Sequence, residues 1–132
     1  MLHFSFKNGL APIIHKFNIL FTFAHADEIR NNQYRELFRP TSLISGKEDA
    51  ANNFGRGYYT IGKEMESVII DSLRKQVEMC SAFAGFFIFH SMGGGTGSGL
   101  TTLILQKLAG DFAKKNKLEF VIYPSPRVSK IM

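Results

Sequence analysis

Five glycines in seven residues, Gly93-Gly94-Gly95-Thr96-Gly97-Ser98-Gly99, lie between two strongly apolar segments, and this run constrains the fold more than any other feature. Upstream, Phe83-Ala-Gly-Phe-Phe-Ile-Phe-His90 does not alternate, so it reads as a strand buried on both faces, as in a parallel sheet. Downstream, Leu100, Leu103, Ile104 and Leu108 recur at helical spacing, with Gly110 as a C-cap. Leu118-Glu-Phe-Val-Ile-Tyr123 reads as the next strand, stopped by Pro124 and Pro126. Strand, glycine turn, helix and strand form a βαβ unit, right-handed by default. The spacing predicts strand 83–90, helix 96–109 and strand 117–123.

A glycine run at the carboxyl end of such a strand, entering a helix, sits where α/β proteins bind ligands. Glycines let backbone N–H groups approach an anion closely, and the helix start adds unpaired donors and about half a positive charge. Thr96 and Ser98 add hydroxyls. The run reads as a phosphate cradle, and the plainer alternative is a flexible loop. It is not a Walker A loop, since Gly99 is followed by Leu100 and Thr101 rather than Lys-Ser/Thr. Nor does G-x-G-x-x-G fit: counted from Gly93 the sixth residue is Ser98, and from Gly95 it is Leu100. Glu119 falls inside the predicted strand, as an edge or surface residue.

A second cluster, Gly46-Lys-Glu-Asp-Ala-Ala-Asn-Asn53, precedes the clearest helix. Phe54, Tyr58, Ile61, Met65, Val68/Ile69, Leu73, Val77 and Cys80 recur at steps of three and four, one apolar stripe. Asp71 and Lys75 are spaced for an i,i+4 pair. Gly55, Gly57 and Gly62 weaken the first turns, as where a ligand or another chain approaches closely, or where a helix end is loosely formed. Asp49, Asn52 or Asn53 serves as a helix cap. On the functional reading the cluster is a second phosphate loop. There Ala50 and Ala51 admit close backbone approach, and Asp49 faces a phosphate-bound Mg²⁺ through water.

Composition excludes several classes. Apolar residues make up 45% and charged residues 20% of 132, a globular balance. One cysteine, Cys80, rules out an internal disulfide and a Cys-based zinc site, and on the apolar stripe it reads as a core thiol. No window reaches the ~18 apolar residues of a membrane span. The N-terminal stretch lacks the apolar region and cleavage site of a signal peptide. A net charge of +5 raises nucleic-acid binding, but the basic residues are scattered. The densest group, Lys114, Lys115 and Lys117, carries no nucleic-acid motif and reads as a solvated turn. His90 reads as packing and bonding locally; neighbours on a strand point to opposite faces, which excludes a Ser91–His90 pair.

At the two loops the chain resembles the tubulin family. GGGTGSG after Phe89-His90-Ser91 looks like the tubulin signature loop. The second cluster, followed by Gly57-Tyr-Tyr-Thr-Ile-Gly-Lys-Glu64, is similar to α-tubulin rather than β-tubulin. Tyr34-Arg-Glu-Leu-Phe38 and Leu118-Glu-Phe…Tyr123-Pro-Ser-Pro126 also match, and the resemblance runs from about Asp27 to Ser129. It implies an incomplete α/β fold, a three-layer Rossmann-like parallel sheet with flanking helices. It further implies GTP and Mg²⁺ as ligands, a β-tubulin-like subunit and the microtubule as partners, and a cytoplasmic, cytoskeletal location, with no nucleic acid and no membrane. Asp49, Ala50, Ala51 and Asn52 would form one phosphate loop, with Asp49 toward the metal. Ser91, Gly93, Gly94, Gly95, Thr96 and Gly97 would form the other, with Ile122 and Val128 near ribose and base.

Departures accompany the resemblance. The family's first phosphate loop has no counterpart. Its Mg²⁺-linked acidic pair falls, without gaps, on Leu20 and Thr22, and Lys130 replaces a Thr near the ribose. The base pocket, second domain and catalytic Glu of the family would lie past residue 132. No water-activating acid is recognisable beside a γ-phosphate, so no catalytic residue is assigned and hydrolysis by this chain alone is not expected. Residues 1–26 are Phe-rich, lack a sustained period and read as an atypical segment joined to a partial GTP-binding domain at 27–132. A short helix near 27–32 and a strand near 42–44 complete the expected order. The alternative function is a non-enzymatic interaction fragment, or a pseudogene product, that binds tubulin or a chaperone through uncovered apolar surface.

Overall fold

The computed structural model describes the backbone of residues 2–8, 17–22, 26–33 and 35–125, and the side chains from Ile29 onward within those ranges except Leu37. Five strands form one sheet: β1 (Leu2–Asn8), β2 (Phe17–Thr22), β3 (Leu43–Ser45), β4 (Phe83–Ser91) and β5 (Asn116–Ile122). Their spatial order is β3-β2-β1-β4-β5. β2 pairs with β3, and β4 with β5, in parallel, while β1 runs antiparallel to both its neighbours. The sheet of this incomplete α/β Rossmann-like fold is therefore mixed. The N-terminal segment without a readable period supplies two of its strands, including the Ile19–Phe21 piece. The Ile13–Ile14 piece lies outside the described residues.

Three α-helices accompany the sheet: α1 (Ala26–Asn31), α2 (Ile61–Glu78) and α3 (Thr101–Asp111). α2 and α3 pack side by side on one face of β4. Ile69, Leu73, Leu100, Ile104 and Leu108 meet Phe86 and Ile88 there in one cluster, each 2% exposed or less. Fully burying one such side chain contributes about 1.5–3 kcal/mol, so this cluster is the main cohesive element of the described chain.

The predicted stripe on α2 is rotated slightly. Val68 is 56% exposed, whereas Ile70 and Gln76 are buried. The Gln76 amide nitrogen donates to the Ser42 hydroxyl at 3.2 Å, tying α2 to the turn before β3. Asp71 pairs with Arg74 (3.4 Å) rather than with the expected Lys75, and Arg74 also reaches Asp111 on α3 (3.3 Å).

Three further expectations are corrected. β4 is not buried on both faces: Phe86, Ile88 and His90 are buried, but Phe89 on the other face is 40% exposed. Gly110 is not the C-cap. α3 continues through it to Asp111, and Phe112 packs edge-on against Phe83 and Phe86, which draws the last turn onto the sheet. The lysine group is not merely solvated. Lys117 donates to the Phe112 carbonyl just past the end of α3 at 2.7 Å, and Lys115 to the Phe83 carbonyl at the start of β4 at 2.9 Å.

Candidate phosphate-binding site

Each of the two glycine-bearing segments enters its helix through a π-helical turn, Arg56–Thr60 before α2 and Thr96–Leu100 before α3. The turns lie against each other backbone to backbone. A Cβ on Gly57 would collide with the Gly95 carbonyl oxygen and come within 3.4 Å of the Gly99 Cα. A Cβ on Gly99 would collide with the Phe54 carbonyl oxygen and lie 2.9 Å from the Gly57 carbonyl carbon. The glycines at the start of the long helix thus do admit a close approach, and what approaches is the other helix start. Neither helix can be displaced without disturbing the other.

This contact brings the two predicted loops together. Ala50 is fully buried, and its Cβ would be 2.6 Å from a Cβ at Gly95. Ala51 and Asn52 both adopt left-handed backbone, with φ of 48° and 56°. For Ala51 that conformation costs about 1–2 kcal/mol, a strain typical of ligand loops. Gly94 has φ 88°, and the nearest atom to a Cβ there is the Asn52 Oδ1, 3.9 Å away. The space beside Gly94 is open, unlike that beside Gly95 and Gly97. Left-handed and right-handed residues in succession turn backbone N–H groups into a concavity that suits an anion, and both helix starts add donors without intrahelical partners. The donor set therefore fits a phosphate.

The side chains mostly hold the loops in shape. Asn53 is the helix cap: its Oδ1 accepts from the Gly55 N–H at 2.8 Å, with the Arg56 N–H at 3.4 Å. Ser91 donates to the Gly93 carbonyl at 2.8 Å, Ser98 donates to the Gly94 carbonyl, and Thr102 donates to the Ser98 carbonyl at 2.8 Å. Thr96 is half-buried at the start of the turn, and its carbonyl lies 3.5 Å from the Thr101 hydroxyl. His90 lies beneath the run, with Nδ1 2.9 Å from the Gly97 carbonyl and Nε2 3.6 Å from the Glu119 carboxylate. A carbonyl only accepts, so Nδ1 carries the hydrogen. The local role expected for His90 holds. Nδ1 also lies 3.3 Å from the Ser91 carbonyl, while the Ser91 hydroxyl turns to the Gly93 carbonyl, so the two side chains do not pair with each other.

The remaining predicted residues are placed as follows. Asp49 is exposed on the first loop, and no cluster of three or more metal-ligating side chains exists among the described residues. A lone carboxylate there fits a metal carried by a phosphate and reached through water, not a cation held by protein ligands alone. Ile122 is opposite Ser91 in the β4–β5 register, 73% exposed, and its carbonyl accepts from the Met92 N–H at 3.0 Å. Val128 lies outside the described residues. Two larger clefts, about 550 and 610 Å³, run along α2 and β3; the second is bordered by Gly46, Lys47 and Glu48 of the first loop.

The family model described as Tubulin/FtsZ family, GTPase domain, matches residues 20–132. The chain belongs to the Tubulin/FtsZ family. The matched span includes both loops, both π-helical turns and the whole β4–loop–α3–β5 unit, and it begins inside β2. Tubulin-like GTPase-domain character thus attaches to the region whose backbone forms the concavity. No described helix is long and apolar enough to cross a membrane.

The sequence signals for this site were the glycine run, the second loop and their helical sequels. What they did not reveal was the interlock of Gly57 with Gly95 and Gly99. Spacing within one helix cannot name the element that approaches it. The left-handed pair was partly legible, since Asn tolerates that conformation.

Proposed function

We propose that this is an α-tubulin-like GTP-binding chain, in which the two interlocked loops hold the nucleotide phosphates. The observation that carries the reading is the backbone contact of the two helix starts. It is supported by Ala50 lying against Gly95 and Asn52 lying near Gly94, and on this reading Asp49, Ala50, Ala51 and Asn52 of one loop act with Gly93, Gly94, Gly95, Thr96 and Gly97 of the other. The backbone N–H groups there bind and orient phosphate oxygens, and Ser91 and His90 keep the second loop in its binding shape. When bound, GTP would supply the phosphate charge and its Mg²⁺, and Asp49 would face the hydrated metal. By the resemblance, Ile122 and Val128 would lie near the sugar and base. Residues 27–132 carry this function, while β1 and β2 of the preceding segment add to the sheet. By the same reading the partners are a β-tubulin-like subunit and the microtubule, in a cytoplasmic, cytoskeletal setting. Because elements of the family's phosphate, Mg²⁺ and base sites have no counterpart here, GTP binding by this chain alone is expected to be weak at best, and no residue is assigned to hydrolysis.

The test is thermal unfolding with and without millimolar GTP–Mg²⁺, with ATP as control. A ligand at 100 times its Kd adds about 2.7 kcal/mol. The expected result is a transition raised by GTP and not by ATP, and an Asp49→Ala chain that loses roughly tenfold in affinity with Mg²⁺ and little without it. A folded chain whose transition GTP leaves unmoved overturns the reading. Gly95→Ala with Gly97→Ala is a poor probe. The new Cβ atoms would strike Ala50 and the Ser91 carbonyl, and loss of binding would only report lost folding.

A second reading, a non-enzymatic interaction fragment, is favoured by a specific observation. Phe89, Leu118, Phe120 and Ile122 on one face of β4 and β5 are 40–73% exposed.

A further inference from the structure

The bond from His90 to the glycine run leaves the other end of its ring unexplained. The residue is 9% exposed, and Nδ1 lies between two carbonyls, that of Gly97 at 2.9 Å and that of Ser91 at 3.3 Å. Both oxygens only accept, so Nδ1 carries a hydrogen. Nε2 is shut off from solvent and has no hydrogen-bond partner among the described residues. What faces it is the Glu119 carboxylate, 3.6 Å away, which also accepts. A neutral imidazole has one N–H. With that hydrogen on Nδ1, the Nε2 lone pair is buried against a negative oxygen. The other tautomer moves the same conflict to the Gly97 carbonyl. The doubly protonated ring alone offers a donor at both ends.

The sheet register creates this arrangement. Ile88 pairs with Glu119 and His90 with Val121, so Glu119 is one diagonal step from His90 on the helix side. The next charged residue on that side of β5, Lys117, is held on the Phe112 and Lys115 carbonyls. The other elements around the ring bring no competing charge. From Gly93 to Leu105 the glycine run and the first turns of α3 contain no ionisable side chain. β1 sets Leu2 opposite His90. On the π-helical turn packed against the run, Arg56 is paired with Glu48, and the Tyr58 hydroxyl is on Gln106. Among the described residues, the charge that meets the ring is that of Glu119.

From this geometry we infer that Glu119 and His90 form a proton-operated strut beneath the glycine run, with Glu119 as a positioning residue. With two protons the ring donates to Gly97 at one end and pairs with Glu119 at the other, so β5 is tied through the ring to the backbone of the run. When the Nε2 proton is lost, the tie to β5 opens and the run keeps the Nδ1 bond alone. Histidine ordinarily titrates at about pH 6.5, which makes the support of the run responsive to pH near neutrality. The strut involves β4, β5 and the glycine run, and it stands whether or not the two loops take GTP.

Nuclear magnetic resonance of the histidine ring nitrogens in the full chain, without nucleotide, tests this independently of GTP binding. At about pH 6 the expected wild-type His90 ring carries protons on both nitrogens. Glu119→Gln keeps the side-chain shape and supplies an amide donor for Nε2, so its ring should be neutral at the same pH, with the proton on Nδ1. A double-mutant cycle of Glu119→Ala with His90→Asn, read as unfolding constants, gives the second readout. We expect a stabilising coupling of roughly fivefold or more at about pH 6 that is absent at about pH 9. A neutral wild-type ring at pH 6 overturns the inference, and that reading needs no substitution. So does a ring whose protonation Glu119→Gln leaves unchanged, or a coupling of equal size at both pH values.

Discussion

The two faces of β4 carry similar apolar residues and have opposite fates. On the helix side Phe86 and Ile88 are 2% and 0% exposed, and His90 is tied to the loop above it. On the other side Phe89 and Phe120 stack on each other and remain 40% and 47% exposed. Hydrophobicity alone does not separate them, for Phe86 and Ile88 on one side of β4 are matched by Phe87 and Phe89 on the other. The difference lies in what the neighbouring chain supplies. α2 and α3 arrive over one face through two glycine-bearing turns that fix their approach, and among the described residues nothing comparable arrives over the other. Cohesion and the candidate site therefore share one side of the sheet, and on the other side Phe89, Leu118, Phe120 and Ile122 stay partly exposed.

The strongest way to break this contrast is at the interlock. Gly57→Ala sets a methyl group against the Gly95 carbonyl, with backbone on both sides and no flexible side chain to give way. We expect a loss exceeding about 4 kcal/mol, in the range of exceptional substitutions, read by chemical denaturation. A loss near 1 kcal/mol would mean that the helix starts separate easily, and that the loops do not depend on each other.

Truncation on the two faces measures the contrast directly. Ile88→Ala removes a fully buried side chain and should cost about 3–4 kcal/mol. Phe120→Ala removes a larger group from the open face and should cost about 1 kcal/mol in dilute monomer. Equal losses would show that the open face is covered in solution.

Much of this arrangement was legible in the sequence because its signals were local. The glycine run, the helical recurrence from Ile61 to Val77 and the strand ended by Pro124 each rest on neighbours in the chain. What escaped depended on partners far away. β1 shows no period because its fate is set by pairing with β2 and β4, and pairing partners leave no mark on spacing. Gln76 stood on the buried side of α2, three residues after Leu73, but its bond to Ser42 spans 34 positions. Phe89 read as buried because a continuous apolar run does not reveal which face is left open. For the candidate site, residue types and loop positions were readable. The backbone contact that brings the loops together was not.

Replacing His90 separates support of the loop from simple packing. His90→Leu leaves the buried Gly97 carbonyl without its donor and should cost about 1–3 kcal/mol. His90→Asn keeps a donor near the Nδ1 position and should recover most of that loss. Equal damage from both would assign His90 to packing alone. Asn53→Ala removes the cap at the other helix start, and we expect about 1 kcal/mol in thermal unfolding.

The smallest effect tests how α2 and α3 are strapped together above the covered face. Glu66 on α2 accepts from Lys107 on α3 at 2.9 Å and from Lys63, one turn away, at 2.9 Å. Hydrogen bonding to Lys107, then to Lys63, holds the Glu66 carboxyl below the usual glutamate range, against the opposing effect of burial. A carboxyl lowered on folding contributes stability that is complete above its unfolded value and is lost as pH falls through its folded value. The wild-type chain should therefore exceed Glu66→Gln slightly in melting temperature at neutral pH. The gap should narrow as pH falls through and below the ordinary glutamate range, where the carboxyl takes up its proton and resembles the amide. Both lysines are largely in water, so salt should shrink the neutral-pH gap as well. A gap unchanged by acid and by salt would mean that the helices are held at this point by apolar contact, with the charges as bystanders.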